Sequence, residues 1–297
     1  MAIPEAQLDT WSHQGSVKQS STTYATVRSA LVAEGTAYSN KETKVFLQGS
    51  YGNATNIYAE SDVDIVIVLR DCWRSDLTKL SESEKRAYGE AYPDATYTYA
   101  DFKRDVTKVL TDRFGGDVRV GNKAIAISAG GGRRNADVIA TIQYRRYYRF
   151  NGIRDQQYDE GVCFYTGRGE QIVNYPVQHS TNLTARHQVS SGRLKAMIRI
   201  LKNARSRLVE TGLIGKDVAP SYYIEGLLYN VPPQKFVNSR GESFVNVLRW
   251  FQEEADKSNL VCANEQYYLL RTNALTCWEP TNCEEFAAAL IRLWNAW

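Results

Sequence analysis

The segment from Gln48 to Leu69, QGSYGNATNIYAESDVDIVIVL, constrains the fold of this chain more than any other. It places a Gly-Ser pair ahead of two acids, Asp62 and Asp64, which alternate with Val63 and lead into an apolar run. Successive side chains of a strand point to opposite faces, so the two acids share one face. A strand this apolar is typical of one that is buried on both faces. The segment therefore predicts a buried strand with paired carboxylates at its start.

These residue types suit a bound phosphate and a divalent metal. Carboxylate oxygens are hard ligands of the kind that Mg2+ takes, alongside water and substrate phosphates. Gly49 allows a ligand to approach the backbone closely, and Ser50 offers a hydroxyl and an N–H where a helix could begin. An isolated D-x-D could simply be a solvated strand end. Its combination with Gly-Ser and a buried strand favours a site for a nucleoside triphosphate and metal.

A third acid, Asp137, precedes another predicted strand. The text NADVIATIQYRRY supplies Val138, Ile139 and Ile142, which are strand-forming residues. From the residues alone, Asp137 could be either a metal ligand or an ordinary strand-initial acid after a Gly-Arg loop.

The Gly49-Ser50 pair with the Asp62-Val63-Asp64 triplet resembles the nucleotidyltransferase superfamily that includes DNA polymerase beta. The fuller sequence, from residue 11 to about residue 250, resembles the bacterial cGAS/DncV-like nucleotidyltransferases, relatives of animal cyclic GMP-AMP synthase. The resemblance implies an α+β fold: a polymerase-beta-like core of mixed sheet and helices, a C-terminal helical lobe, and an active site in the cleft between them. We therefore expect a catalytic lobe over 1–175 and a helical lobe over 176–297 that completes the nucleotide pocket.

The same resemblance assigns roles to individual residues. It implies that Asp62, Asp64 and Asp137 are the catalytic acids and hold two Mg2+ ions, for which Mn2+ could substitute. The implied nucleotide-binding residues are Gln48, Gly49, Ser50, Lys202, Ser221 and Tyr222. Lys202, in RILKN, is expected to reach the triphosphate. In PSYYIE, Ser221 is expected to contact phosphate and Tyr222 to stack on a base.

Without the resemblance, each of these residues has an ordinary structural interpretation. Lys195, Arg199 and Lys202 recur at helical spacing and would form a solvated helix face. Ser221 would cap a helix, and Tyr222 would be an interface aromatic.

The function implied is the synthesis of a cyclic di- or trinucleotide from nucleoside triphosphates by in-line phosphoryl transfer. The product would activate a separate effector protein in antiphage (CBASS) signalling. Cyclisation comes from the resemblance alone. One alternative is nucleotidyl transfer to RNA, a protein or a small molecule. Another is a catalytically silent nucleotide or RNA sensor on the same fold, which the presence of all three acids disfavours.

The composition restricts the partners, the state of the thiols and the location that we expect for the protein. The net charge is +3 and the pI is near 8.5, which is too mildly basic to predict strong nonspecific binding to nucleic acid. The five cysteines form no C-x-x-C pair, so we expect reduced thiols. Neither an apolar run of membrane length nor a leader sequence is present, and we expect a soluble, cytoplasmic monomer. Of the histidines, His179 is expected to make structural hydrogen bonds.

Hydrophobic periodicity and breaker residues predict the secondary structure. The predicted helices are 17–38, 98–114 ending at Gly115-Gly116, 193–211, one beginning at Pro220-Ser221 and ending at Pro232-Pro233, 242–257 and 283–297. The predicted strands are 44–48, 62–70, 117–128, 137–145 and 161–166.

Overall fold

The computed structural model describes residues 2–15, 17–58, 62–274 and 276–297, which fall into two units. The sheet unit comprises the described residues of Lys18–Gln48 and Ser61–Pro176. The helical unit comprises those of Met1–Val17, Gly49–Glu60 and Val177–Trp297.

The sheet unit is built on a seven-stranded mixed sheet with the order β1-β2-β5-β4-β3, in which β6 pairs with β5 and β7 pairs with β6. Strands β2 and β5 run parallel at its centre, and every other pairing is antiparallel. The strands are β1 Thr43–Leu47, β2 Val63–Asp76, β3 Val118–Val120, β4 Ile125–Ile127, β5 Ala136–Phe150, β6 Gln156–Tyr165 and β7 Gln171–Asn174.

Strand β2 is buried on both faces, as its sequence predicts. Every residue from Val63 to Leu69 is buried except Asp64, which is half-buried. Helices α2 (Lys18–Leu31) and α5 (Tyr99–Phe114) pack on each other and on this sheet. A further helix, α4 (Glu82–Ala91), covers β5 through an aromatic cluster around Tyr147 and Phe150.

The helical unit surrounds a separate core of leucine, isoleucine and aromatic side chains, which includes Trp278 and Phe286. Its helices are α1 Glu5–Ser12, the short α3 Gly49–Gly52, α6 Pro176–Val189, α7 Leu194–Glu210, α8 Ser221–Asn230, α9 Arg240–Arg249 and α10 Pro280–Asn295. A π-helical turn, Trp250–Glu254, continues directly from α9.

Helix α5 begins and ends where its sequence predicts. The Thr98 and Asp101 side chains form a reciprocal capping box at its start, and Gly115 ends it with φ of 57°, a left-handed conformation that favours glycine.

The N-terminal helix predicted over 17–38 is wrong in length. Helix α2 ends at Leu31, and turns that include Gly35, with φ of 82°, follow it. Tyr38 is buried for another reason: its hydroxyl donates to the carbonyl oxygen of Leu31 and its ring packs on Phe102. Helices α1, α3, α4 and α6 and strand β7 were not predicted, and strands β2, β5 and β6 extend further than expected. The single strand predicted over 117–128 is wrong, because this segment forms the two short antiparallel strands β3 and β4.

The predicted lobes over 1–175 and 176–297 stay a prediction. The two compact units also separate near residue 176, but the described residues of 1–17 and of 49–58 group with the C-terminal part of the chain. Within the described part of the chain, no helix is both long and apolar enough to cross a membrane. The five cysteines are free thiols, four of them buried.

Candidate active site

Two of the predicted acids are neighbours in the central parallel ladder of the sheet unit. Asp64 of β2 and Asp137 of β5 are direct register partners. Register partners lie about 4.8 Å apart across the ladder and point to the same face. Both side chains are half-buried. The sheet therefore places these two carboxylates side by side, from stretches of chain that are 73 residues apart.

Asp62 precedes β2 and is exposed. Its carboxylate accepts a hydrogen bond from the Asn135 side-chain amide at 3.1 Å. The carbonyl oxygen of Asn135 accepts from the Val63 N–H at 3.0 Å, so Asn135 ties the start of β2 to the start of β5. Asn135 was not among the predicted site residues, although NAD in the sequence places it two residues before the third acid.

The charges of these acids act on one another. Burial, and then the nearby negative charge of Asp62, raise the pKa of Asp137 above its ordinary value. A bound cation would relieve this repulsion, and the three carboxylates supply the hard oxygen ligands that Mg2+ or Mn2+ prefers. The donor set therefore fits a divalent metal.

The acids are not already closed around a common point. No group of three or more His, Cys, Asp or Glu side chains among the described residues is arranged to hold one metal ion. The structure brings Asp64 beside Asp137 and brings Asp62 within electrostatic reach of Asp137. Their sharing of metal ions stays a prediction.

The Gly-Ser pair follows directly on the sheet. The Gln48 N–H donates to the carbonyl oxygen of Asp64 at 2.9 Å, and Gly49 is the next residue in the chain. Gly49 has φ of 66°, which a residue with a Cβ adopts only with strain. Gly49 thus allows the turn that begins α3, which carries Ser50.

Lys202 lies close to this turn within the helical unit, but its ammonium is enclosed. The side chain is 0% exposed, and Nζ donates to Glu225 at 3.0 Å and to the Thr55 hydroxyl at 3.3 Å. The Thr55 N–H donates to the carbonyl oxygen of Ser50 at 2.9 Å. In this structure a direct contact between Lys202 and phosphate would require the ammonium to leave its partners, and that role stays a prediction.

The other two cations of the predicted helix face are not simply solvated. Arg199 donates to the carbonyl oxygens of Ser12 at 2.5 Å and Ala54 at 2.6 Å, and Lys195 donates to the Thr184 hydroxyl at 3.2 Å. Arg199 therefore fastens α1 and the segment after Gly49-Ser50 to α7.

Ser221 and Tyr222 open helix α8. Pro220, rather than Ser221, occupies the N-cap position, and the Ser221 hydroxyl accepts from Arg205 at 3.1 Å. Tyr222 is 38% exposed, and its hydroxyl accepts from the Asn264 amide. Its ring stacks on His179, with a centroid distance of 5.0 Å and an interplanar angle of 23°. A partly exposed tyrosine can stack on a base.

One residue that is bonded to several of these side chains, Glu225, was not among the predicted site residues. Glu225 is buried in α8 and is bonded to side chains from three other segments of the helical unit. Its position in PSYYIE beside the predicted Ser221 and Tyr222 was the available signal, together with the polar run NATN that supplies Asn53 and Thr55.

Comparison with known families gives a match in the helical unit. Residues 181–295 match the family model described as the cGAS/DncV-like nucleotidyltransferase C-terminal helical domain.

Curated relatives match over the full length. A cyclic nucleotide synthase from Staphylococcus haemolyticus is 34% identical and is aligned over 100% of both chains. A cyclic UMP-AMP synthase from Rhodothermus marinus is 37% identical over 100% of this chain and 99% of its own. A solved structure of the Rhodothermus marinus synthase with Apcpp and Upnpp superposes with a TM-score of 0.89 at 36% identity, covering 99% of this chain and 97% of that one.

Proposed function

Because this nucleotidyltransferase belongs to the cGAS/DncV-like family, we propose that it joins two nucleoside triphosphates into a cyclic dinucleotide and releases two pyrophosphates. The observation that carries the proposal is the likeness, over nearly the whole of both chains, to a synthase solved with two different nucleotide analogues. Two acids brought into register at the start of the parallel ladder give the proposal a chemical basis.

In this proposal Asp62, Asp64 and Asp137 hold Mg2+. Divalent ions bound by these acids would lower the pKa of the attacking ribose hydroxyl and offset the charge of the phosphates. The protein contributes position. The β2–β5 ladder fixes Asp64 and Asp137, and the Asn135 amide orients the more exposed Asp62.

The nucleotide is assigned to the turn and to the start of α8. The Gly49 backbone, with no Cβ, and the Ser50 hydroxyl are proposed to bind the triphosphate, as is the Ser221 hydroxyl. Hydroxyl and N–H donors suit phosphate oxygens because hydrogen bonds to an ionised acceptor are the stronger kind. The partly exposed Tyr222 is proposed to stack on the base.

The biological setting is proposed as antiphage signalling, in which the cyclic product activates a separate effector. A phosphatase-resistant ring has no terminal phosphate, so it can persist as a diffusible messenger after the triphosphates have been consumed.

Product analysis tests the proposal directly. Purified protein is incubated with Mg2+ and the four labelled nucleoside triphosphates, singly and in pairs, and the products are treated with phosphatase and identified by mass spectrometry. We expect a phosphatase-resistant cyclic dinucleotide from at least one pair or single nucleotide. The double variant Asp62→Ala, Asp64→Ala should form none while keeping its fold by circular dichroism.

Other outcomes separate the alternatives. A phosphatase-sensitive linear product, or labelling of added RNA or protein, would instead indicate a transferase with another acceptor. Nucleotide binding without any product would indicate a sensor. Full activity of the double variant would refute the assignment of the acids.

A further inference from the structure

One buried carboxylate in the helical unit has four side-chain donors. Glu225 Oε1 accepts from the Thr55 hydroxyl and from Lys202 Nζ, at 3.0 Å for the latter. Glu225 Oε2 accepts from the Asn53 amide at 3.0 Å and lies 2.7 Å from His179 Nε2. A carboxylate has about four lone-pair positions, so this one is fully used. All five residues are at most 5% exposed.

Two of those donors also hold the Gly-Ser turn. The Asn53 N–H donates to the carbonyl oxygen of Gly49 at 3.1 Å, and the Thr55 N–H donates to that of Ser50 at 2.9 Å. Each residue therefore bonds the turn with its backbone and Glu225 with its side chain. The conformation of the turn is thus tied to the position of one carboxylate in α8.

A third donor connects the same carboxylate to the predicted base-stacking ring. The His179 ring lies between Glu225, to which Nε2 is bonded, and Tyr222, on which it stacks. His179 Nδ1 is buried and has no hydrogen-bond partner among the described residues. Because an ionised carboxylate can only accept, His179 Nε2–H is the donor, and the bond to Glu225 sets the plane of the ring beneath Tyr222.

The electrostatics keep this carboxylate ionised. Burial alone would raise the pKa of Glu225, but the Lys202 ammonium and the bonds from His179 and Thr55 together hold it below its ordinary value. An ionised acceptor in a low-dielectric interior makes stronger hydrogen bonds than a neutral one.

We infer that Glu225 is a positioning residue that couples the phosphate-binding turn at Gly49-Ser50 to the base-stacking ring of Tyr222. Through Asn53 and Thr55 it fixes the turn, and through His179 it fixes the ring. A nucleotide whose phosphates bind at the turn would therefore find the Tyr222 ring already in position for its base. The inference rests on the proposed function, because it takes Ser50 and Tyr222 to bind the two ends of one nucleotide.

The plain alternative is that the network only stabilises the fold. A merely structural network would change the melting temperature when it is disrupted, but the folded fraction would bind nucleotide as the wild type does. Nucleotide affinity, measured well below the melting temperature, separates the two interpretations.

Thr55 offers a matched pair of variants. Thr55→Val keeps the volume and removes the hydroxyl, which donates to Glu225 and accepts from Lys202. Thr55→Ser keeps the hydroxyl and removes a methyl group. Both should lower the melting temperature, since Thr55 is 0% exposed. We expect Thr55→Val to weaken binding of a non-hydrolysable ATP or UTP analogue about tenfold, and Thr55→Ser to bind within about twofold of the wild type. Equal affinities for the two variants would overturn the inference.

Glu225→Gln tests the coupling itself. Glutamine keeps the shape but can no longer accept from all four donors. Ser50→Ala and Tyr222→Ala are combined in a double-mutant cycle on analogue affinity, in the wild type and in the Glu225→Gln background. In the wild-type background, we expect the fold-loss of analogue affinity in the double variant to differ from the product of the two single fold-losses by at least about threefold. In the Glu225→Gln background, we expect the double variant's fold-loss to equal that product. Multiplicative losses in both backgrounds would overturn the inference.

Val247→Ala serves as the control, because Val247 is buried in α9 and takes no part in the network. It should lower the melting temperature with no change in analogue affinity. If the wild type binds neither analogue and makes no cyclic product, the proposed function fails and the inference fails with it. If the wild type does both, the Thr55 pair and the cycle decide the inference alone.

Discussion

At the scale of single residues, Asp137 places a charge where the fold disfavours one. Its pKa is raised by burial and by Asp62, so the native state binds a proton at this position more tightly than the unfolded chain does. The free energy of unfolding therefore falls as the pH rises from the unfolded pKa through the folded pKa of Asp137. This loss of stability is complete above the folded pKa. A residue kept at this cost is typical of a functional site.

Asp137→Asn should therefore stabilise the protein while abolishing synthesis. In buffer without divalent ions at pH 7 we expect the melting temperature to rise by about 1–3 °C. The gain should shrink as the pH is lowered through the raised pKa of Asp137, because the wild-type side chain then becomes protonated. Calorimetry over a descending series of pH values from pH 7 measures this. Asp217→Asn, at an exposed position, is the control. A fall in melting temperature at pH 7 would contradict the argument.

Gly49→Ala should impair both stability and nucleotide affinity. At φ of 66° a Cβ introduces strain of about 1–2 kcal/mol, and the turn that presents Ser50 would shift to relieve it. Denaturant unfolding and analogue binding measure the two effects. Gly89→Ala is the matched control, because Gly89 lies within α4 with no atom near its missing Cβ, so alanine there should be neutral or stabilising. Unchanged affinity in Gly49→Ala would remove the turn from the proposed site.

At the scale of helices and strands, the features that could be predicted are those set by residues close together in the sequence. Helix α5 could be predicted closely because its capping box and its terminal glycine are local signals. The two strands that carry Asp64 and Asp137 could be predicted from the sequence. That the two acids are register partners depends on how these strands pair in the sheet. The helix predicted over 17–38 failed because apolar periodicity continued past Leu31, although Tyr38, at the end of that pattern, is buried by a turn instead.

A substitution in the capping box of α5 should change the stability of the protein but not the reaction. Thr98→Ala removes the side chain that accepts from the Asp101 N–H, and we expect a loss of about 1 kcal/mol in the free energy of unfolding. Thr98→Ser should restore most of it. Urea unfolding measures the change, and product formation per folded molecule should stay at the wild-type level. A loss of activity in Thr98→Ala at full folding would mean that α5 takes part in the reaction.

At the scale of the whole molecule, the division into units could not be predicted from the sequence. Asn53 and Glu225 are 172 residues apart, and no local pattern indicates that one polar side chain near the Gly-Ser pair is bonded to another in PSYYIE. The phosphate role of Lys202 comes from the resemblance of RILKN and stays a prediction. Only the folded chain shows that the Lys202 ammonium is bonded to Glu225.

Ligand binding should stabilise the whole protein. A ligand that binds only the native state adds about 2.7 kcal/mol at 100 times its dissociation constant, so Mg2+ with a non-hydrolysable triphosphate should raise the melting temperature by several degrees. Differential scanning fluorimetry measures the shift. In Asp62→Ala, Asp64→Ala the part of the shift that depends on Mg2+ should disappear. An equal shift in that variant would place the metal elsewhere.

The described residues 49–58 belong to the helical unit, although sheet-unit residues lie on both sides of them in the chain. A ribosome releases the Asn53 end of the Glu225 network 172 residues before the carboxylate itself. At about 5–20 residues per second, this leaves the turn without its buried anchor for roughly ten to thirty seconds. The ribosome therefore completes all the strands of the sheet before the Glu225 network can form. A fragment cut after residue 176 would lack His179, Lys202 and Glu225, and with them the buried anchor of the turn.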